Sequence, residues 1–190
     1  MPVPSPGTST SLLEQARGRC AGAWERLVAL YTPLLEAWLT AAGLQQADRD
    51  DLTQRVLMVL VRQLPDFEHN GRPGAFRAWL RGITVNLLRE FWRARPEPEA
   101  GSRLDQLRDP DGGLSRLWDE QHDRHVLHAL MEMVRPEFTE TTWQAFRRLA
   151  LDGASAREVS AELGLSVNAV LIAKSRVLSR LRQEASGLVD

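Results

Sequence analysis

The stretch that most constrains this chain is RPGAFRAWLRGITVNLLREFWRAR, residues 72–95. Pro73 stands where a first-turn proline belongs, since a helix start leaves that N–H unpaired anyway. From Phe76 to Arg95 only Gly82 weakens a helix, and one strong helix tolerates a single glycine. Phe76, Leu80, Ile83, Leu87, Leu88 and Phe91 recur at the spacing of a buried helical stripe. The remaining surface carries six arginines (Arg72, Arg77, Arg81, Arg89, Arg93, Arg95) against one acid, Glu90, with Trp79 and Trp92 among them. Guanidinium forks grip phosphates bidentately, and flat indoles stack on unpaired bases. Two readings stay open on these residues alone: a core helix with solvated arginines, or a surface for nucleic acid.

The formal net charge of −1 hides a strong pattern. Residues 96–142 hold eleven acids against five arginines, while residues 143–190 hold seven bases against five acids. Two base-rich stretches are thus separated by an acidic middle, and that distribution speaks to partners more than the net value does. The single cysteine, Cys20, rules out an intramolecular disulfide and suggests a reducing compartment. No basic stretch leads into an apolar run at the start, and the longest apolar run, Val56 to Val61, is far short of a bilayer span. The expectation is a cytoplasmic protein that does not engage a membrane.

Residues 1–10, rich in Pro, Ser, Thr and Gly, read as a disordered tail. Ser11 and Glu14 form a capping-box pair opening a short helix that ends near Gly18. A second helix, from about Ala21 to Ala42, carries Trp24, Leu27, Tyr31, Leu34, Leu35 and Trp38, and Pro33 should kink or split it. A third begins at Asp48 with acids in its first turn, where the helix dipole favours them, and ends at Pro65. Its core face is Leu52, Val56, Val59 and Leu60. With the Arg/Trp helix this makes an all-α domain over residues 11–95. Residues 96–116 read as an acidic linker, and residues 117–186 as a second helical domain. A helix from about Leu117 closes before Pro136, and Thr139 or Thr141 can cap the next one.

The C-terminal stretch SAREVSAELGLSVNAVLIAKSRVLSRLRQE, residues 155–184, holds a short helix with Val159 and Leu163. Small Ser160 lies four residues before Gly164, and Ser166 caps a longer helix with Val170, Val177 and Leu181. A small residue, a glycine turn and a capped helix are what a helix-turn-helix needs for two helices to cross closely. The second helix carries Lys174, Arg176, Arg180 and Arg182, suited to phosphates or base edges.

Taken in order, DLTQRVLMVLVRQLPDF, FRAWLRGITVNLLREFWR, the acidic linker and ELGLSVNAV resemble a bacterial RNA polymerase sigma factor of the extracytoplasmic-function class. The resemblance covers roughly residues 11–185. It implies binding to core RNA polymerase and direction of that enzyme to promoters. Asp50, Asp51, Leu52, Gln54 and Arg55 match the helix that docks on the polymerase clamp; the family usually has an acid where Arg55 stands. Arg77, Trp79, Arg81, Asn86, Arg89, Trp92 and Arg93 match the part that opens and reads the minus-ten element. In the helix-turn-helix, Ser166, Asn168, Ala169, Leu171, Lys174, Ser175, Arg176 and Arg180 match the minus-thirty-five reader. There the family typically has a basic residue and Ser where this chain has Leu171 and Ile172, which leaves two alternatives open: the pair touches thymine methyls, or the bases are read mainly by Asn168, Lys174, Ser175 and Arg176. The partners implied are core polymerase, promoter DNA as duplex and melted strand, and an anti-sigma protein.

Other chemistry has little footing. His122, His125 and His128 share one predicted helix, but their spacing turns them progressively around it, away from a converging zinc site. No nucleophile elbow or phosphate-cradling glycine loop is present, so no catalytic residue, metal or cofactor is expected. The acidic run 97–123 reads as a solvated linker, with shielding of the basic surfaces in the free protein as the alternative. Two further function classes remain: a dimeric helix-turn-helix regulator acting without polymerase, and a polymerase-binding decoy using only the Asp51/Gln54 helix.

Overall fold

The computed structural model describes residues 11–68, 74–94 and 113–189, and contains no strand among them. Eight α-helices make up these segments: α1 (Leu12–Arg17), α2 (Ala23–Ala41), α3 (Gln46–Gln63), α4 (Ala75–Ala94), α5 (Gly113–Val134), α6 (Glu140–Ala150), α7 (Ala156–Leu163) and α8 (Val167–Ala185). Single 3₁₀ turns follow α3 at Leu64–Asp66 and α5 at Arg135–Glu137. The expected tail over residues 1–10, the helix start at Arg72 and Pro73, Arg95 and most of the acidic linker lie outside the described residues. The end of that linker, from Gly113, already belongs to α5.

Two compact units emerge, Thr10–Leu127 with Ser186–Asp190, and His128–Ala185. The boundary falls inside α5, whereas the sequence had placed all of residues 117–186 in the second unit. The reason is aromatic packing. Trp118 is fully buried and meets Trp38 of α2 edge-on, with ring centroids 5.2 Å apart.

In the first unit α1 opens on the expected capping box, with Ser11 Oγ accepting from the Glu14 N–H and Glu14 accepting from the Ser11 N–H. Helix α2 continues through the Pro33 position without splitting, and buries Leu27, Leu30, Tyr31, Leu34, Leu35, Trp38 and Leu39. Thr32 Oγ1 donates to the Val28 carbonyl one turn earlier at 2.8 Å. Helix α3 buries Leu52, Thr53, Val56 and Leu60. Helix α4 buries Phe76, Leu80, Thr84, Leu88 and Trp92, a strict four-residue stripe. Ile83, Leu87 and Phe91 flank that stripe half-buried instead of lying in it. Thr84 enters the stripe because its hydroxyl donates to the Leu80 carbonyl at 2.9 Å and so needs no water.

A polar chain, buried at Tyr31 and His122, joins α2, α4 and α5. His122 is fully buried, with Nε2 3.2 Å from the Tyr31 hydroxyl and Nδ1 2.9 Å from Asp123 Oδ1. A neutral ring satisfies both contacts when Nδ1–H donates to the carboxylate and Tyr31 O–H donates to Nε2. Arg77 Nη1 then donates to both Asp123 oxygens, at 2.7 and 2.8 Å. Next along α5, His125 Nε2 donates to the Leu30 carbonyl at 2.6 Å. Burial holds the His122 pKa below the ordinary imidazole value, against the opposing hydrogen bond to Asp123. Burial alone raises that of Asp123, but hydrogen bonds from His122 and Arg77 outweigh it and hold the carboxyl below its usual range. Burial pushes the Tyr31 phenol up.

The second unit is built on α6, α7 and α8. Thr139 caps α6 by accepting from the Thr142 N–H at 3.3 Å. Ala145, Val159, Val170 and Ala173 form its centre, with Leu149, Leu163 and Leu165 packed around. Trp143 and Phe146 pair beside them at 5.3 Å. Gly164 ends α7 at φ 65°, a left-handed conformation that costs a side-chain-bearing residue about 1–2 kcal/mol. Ser160 Oγ donates to the Leu165 carbonyl at 2.5 Å across the turn, and Ser166 Oγ accepts from the Ala169 N–H at 3.1 Å to start α8.

Two outcomes follow for stability. Gly164→Ala lowers it by about 1–2 kcal/mol, read by urea unfolding of the full chain. His122 binds its proton more weakly folded than unfolded, so its contribution is complete above about pH 6.5 and declines as pH falls through the depressed folded value. Asp123 adds a second loss below its ordinary carboxylate value. His122→Gln removes the loss between neutral pH and pH 5; an unchanged pH slope in that variant would refute the assignment.

Candidate DNA and polymerase interfaces

On α3 the candidate residues separate by face. Leu52 is 1% exposed and belongs to the core, while Asp51 and Gln54 stand in solvent. Asp50 is held by Arg49, whose Nε lies 3.4 Å away. Arg55 reaches across to α4 and meets Glu90 Oε2 at 3.3 Å. The cation that replaces the family's acid is therefore matched by the one acid of the Arg/Trp helix. Sequence reasoning missed two members of this surface. Met58 and Val61 are 51% and 45% exposed, and they continue the Asp51–Gln54 row at three- and four-residue steps. That spacing was the available signal, obscured because both lie in the continuous apolar run from Val56 to Val61.

On α4 the arginines do not form one free cluster. Arg77 is committed to Asp123 and lies 3.4 Å from Asp119 Oδ1, while Arg81 Nη1 lies 3.5 Å from Asp119 Oδ2. Both were expected to face DNA; here carboxylates of α5 occupy them. Trp92 is 4% exposed and completes the buried stripe, so neither face of its indole is open for stacking on a base. Trp79 is half-buried, stacked on Phe67 at 4.8 Å with a 35° tilt and against Phe76 at 5.6 Å. Phe67 comes from just beyond α3, so the indole is positioned by the turn between the two helices. Arg89 is half-buried, whereas Asn86 and Arg93 are exposed. The open surface of α4 is the row Ala78, Gly82, Asn86, Glu90 and Arg93, flanked by half-buried arginines.

In the helix-turn-helix, Val170, Ala173, Val177 and Leu181 point inward. Ser166, Asn168, Leu171, Ser175 and Arg176 are exposed, and Ala169 and Lys174 are half-buried. Arg180 serves packing rather than a free cationic surface. Its Nε and Nη2 donate to Glu137 at 2.7 and 2.9 Å, and its Nη1 lies 2.5 Å from Glu184, which is 2% exposed. Glu137 holds the Arg180 pKa above its ordinary value by accepting these bonds. Arg148 plays a similar part on α6, donating to both Glu162 oxygens of α7 at 3.0 and 2.8 Å.

Among the described residues no group of His, Cys, Asp and Glu is arranged to hold a metal ion; His122 hydrogen-bonds Tyr31 and Asp123, and His125 donates to the Leu30 carbonyl. No helix among them is long and apolar enough to cross a membrane.

Residues 27–96 match the Sigma-70 region 2 family, which spans α2 through α4. The RNA polymerase sigma factor CnrH of Cupriavidus metallidurans is 31% identical over 186 residues, covering 94% of this chain and 93% of that protein. The ECF RNA polymerase sigma factor SigD of Mycobacterium bovis is 28% identical over 137 residues, covering 71% of this chain and 62% of SigD. The RNA polymerase sigma factor CarQ of Myxococcus xanthus is 25% identical over 171 residues, covering 90% and 94%. A solved structure of CnrH in complex with the cytosolic domain of CnrY aligns at 27% identity over 90% of this chain and 92% of that one, with a TM-score of 0.38. With a relative this similar along nearly its whole length, the chain belongs to the RNA polymerase sigma factors, in the extracytoplasmic-function class.

Proposed function

We propose a division of labour within a factor that binds core RNA polymerase and directs promoter-specific initiation. The observation that carries it is the relationship to a sigma factor across 93% of that protein's length, which takes in both units. Sigma factors are not a family of enzymes, and no catalytic residue or cofactor enters the reading. The factor works in the cytoplasm, where polymerase meets DNA. An anti-sigma protein belongs to the same proposal, on the strength of family membership.

Docking on polymerase falls to the exposed row of α3, Asp51 and Gln54, with Met58 and Val61 extending it. Leu52 supports that helix from below, and Arg55 clamps it to α4. Promoter opening falls to α4. Separating stacked base pairs costs a few kcal/mol per step, which capture of an extruded base and phosphate contacts can offset. Asn86, Arg89, Arg93 and the open part of Trp79 are the groups placed for this. Arg81 joins them when a DNA phosphate displaces Asp119, whereas Arg77 stays in its bidentate pair with Asp123. Duplex recognition upstream falls to α8. A regulator that acts without polymerase has no comparable use for the α3 row.

Run-off transcription with core polymerase tests the whole reading, which fails if adding the protein yields no promoter-specific transcripts. Asn86→Ala is expected to reduce open-complex formation about fivefold with core binding unchanged, the scale of one lost hydrogen bond. Gln54→Ala is expected to show the reverse split, and equal loss of core binding in both variants contradicts the roles. Asp119→Ala is expected to tighten binding of the free chain to a single-stranded oligonucleotide by no more than about fivefold, because half-exposed ion pairs are weak. Unchanged affinity there means the acids of α5 do not compete for Arg81.

A further inference from the structure

Helix α8 turns an unusual face to solvent. Asn168, Leu171, Ile172, Ser175, Arg176 and Ser179 are all exposed, and they share one side at three- and four-residue steps. Leu171 and Ile172 are 48% and 50% exposed, and Val167 beside them is 40% exposed. Exposed aliphatic side chains of this size, clustered on one helix, mark a surface built to be covered. The helix's charge says by what. It carries Lys174, Arg176 and Arg182 as cations with no carboxylate of its own helix set against them, since its one acid, Glu184, is buried against Arg180. A polyanion fits that balance. The apolar pair also lies within the first two turns of the second helix of a helix-turn-helix, the part that meets base edges in the major groove.

The thymine C5-methyl is the apolar group that unmodified base pairs display in the major groove. Guanine, by contrast, is read by Arg or Lys through its O6 and N7, and neither Leu171 nor Ile172 can donate a hydrogen bond. We infer that Leu171 and Ile172 are specificity determinants that select thymines in the upstream promoter duplex by packing on their methyl groups. Asn168, one turn before Ile172, has the amide geometry to read an adjacent adenine through N6 and N7. Arg176, one turn after Ile172, anchors the helix on phosphate. The upstream element then contains thymine at the positions under the apolar pair, in place of an arginine-read guanine. This rests on the reading of α8 as the upstream duplex reader.

The test uses holoenzyme assembled from core polymerase and the full chain. A randomised upstream duplex is selected for binding, and each thymine of the selected site is then replaced by uracil, which removes only the methyl. Wild-type holoenzyme is expected to lose about fourfold in affinity per contacted methyl, the scale of one buried methyl group. In Leu171→Ala/Ile172→Ala holoenzyme that penalty is expected to vanish, while Arg176→Ala weakens uracil and thymine duplexes alike. Alanine suits both exposed helical positions, and an unchanged circular-dichroism melt verifies folding of the variant. Upstream protection with no uracil penalty, or the same penalty in the double variant, overturns the thymine assignment alone. Absence of any upstream protection overturns the reading of α8 itself. Loss of core-polymerase binding by a double variant whose melt is unchanged identifies the patch as a protein-docking surface and also overturns the proposal.

Discussion

The hydrogen-bonded chain that runs from the buried Tyr31 and His122 out to Asp123 and Arg77 sets what the rest of the N-terminal unit can present. Three helices contribute to it, and the Tyr31 hydroxyl, both His122 ring nitrogens and both Asp123 oxygens have partners in it. For the buried Tyr31 and His122 those partners matter most, since an orphaned buried group costs more than a made hydrogen bond returns. Completing it places a neutral imidazole in the core, draws the acidic face of α5 onto α4 and removes Arg77 from the free surface. The aromatic contacts of Tyr31 with Phe76 and of Trp38 with Trp118 close the same region from either side.

Arginine is the chain's principal cation, with Lys174 its single lysine, and the structure divides its arginines into two kinds. Arg55, Arg77, Arg148 and Arg180 bridge elements through carboxylates of Glu90, Asp123, Glu162 and Glu137. Arg93 and Arg176 remain exposed on the faces assigned to DNA. A planar fork with several donors serves either purpose, so arginine content overstates the surface available to phosphate. The division also explains how a sigma factor of near-zero net charge can still offer local cationic faces.

Two exposed apolar rows mark where this chain expects company. Met58 and Val61 stand exposed on α3 in the row proposed to dock on polymerase, and Leu171 and Ile172 stand exposed on α8 in the row proposed to face bases. In both cases the helix keeps a separate buried stripe for its own core, so the outer residues are not needed to hold the fold. Their exposure is a cost borne by the free protein and removed on assembly.

Much of this was legible in the chain itself. Periodicity set the helices; the Ser11–Glu14 pair, Thr139, Gly164 and Ser166 set their ends, because caps and left-handed turns are local chemistry. The order of DLTQ, FRAWLRGITVN and ELGLSVNAV set the family. Pairing across long sequence separation was not legible. That Trp92 and Thr84 fill the stripe of α4, while Ile83 and Phe91 flank it, depends on the angle at which α4 meets its neighbours. That Arg77 answers Asp123, and Arg55 answers Glu90, depends on elements 46 and 35 residues apart. Sequence alone determined which residues could bind DNA. Tertiary structure decided which of them were still free to, because a buried stripe or a nearer carboxylate claims a side chain before any partner arrives.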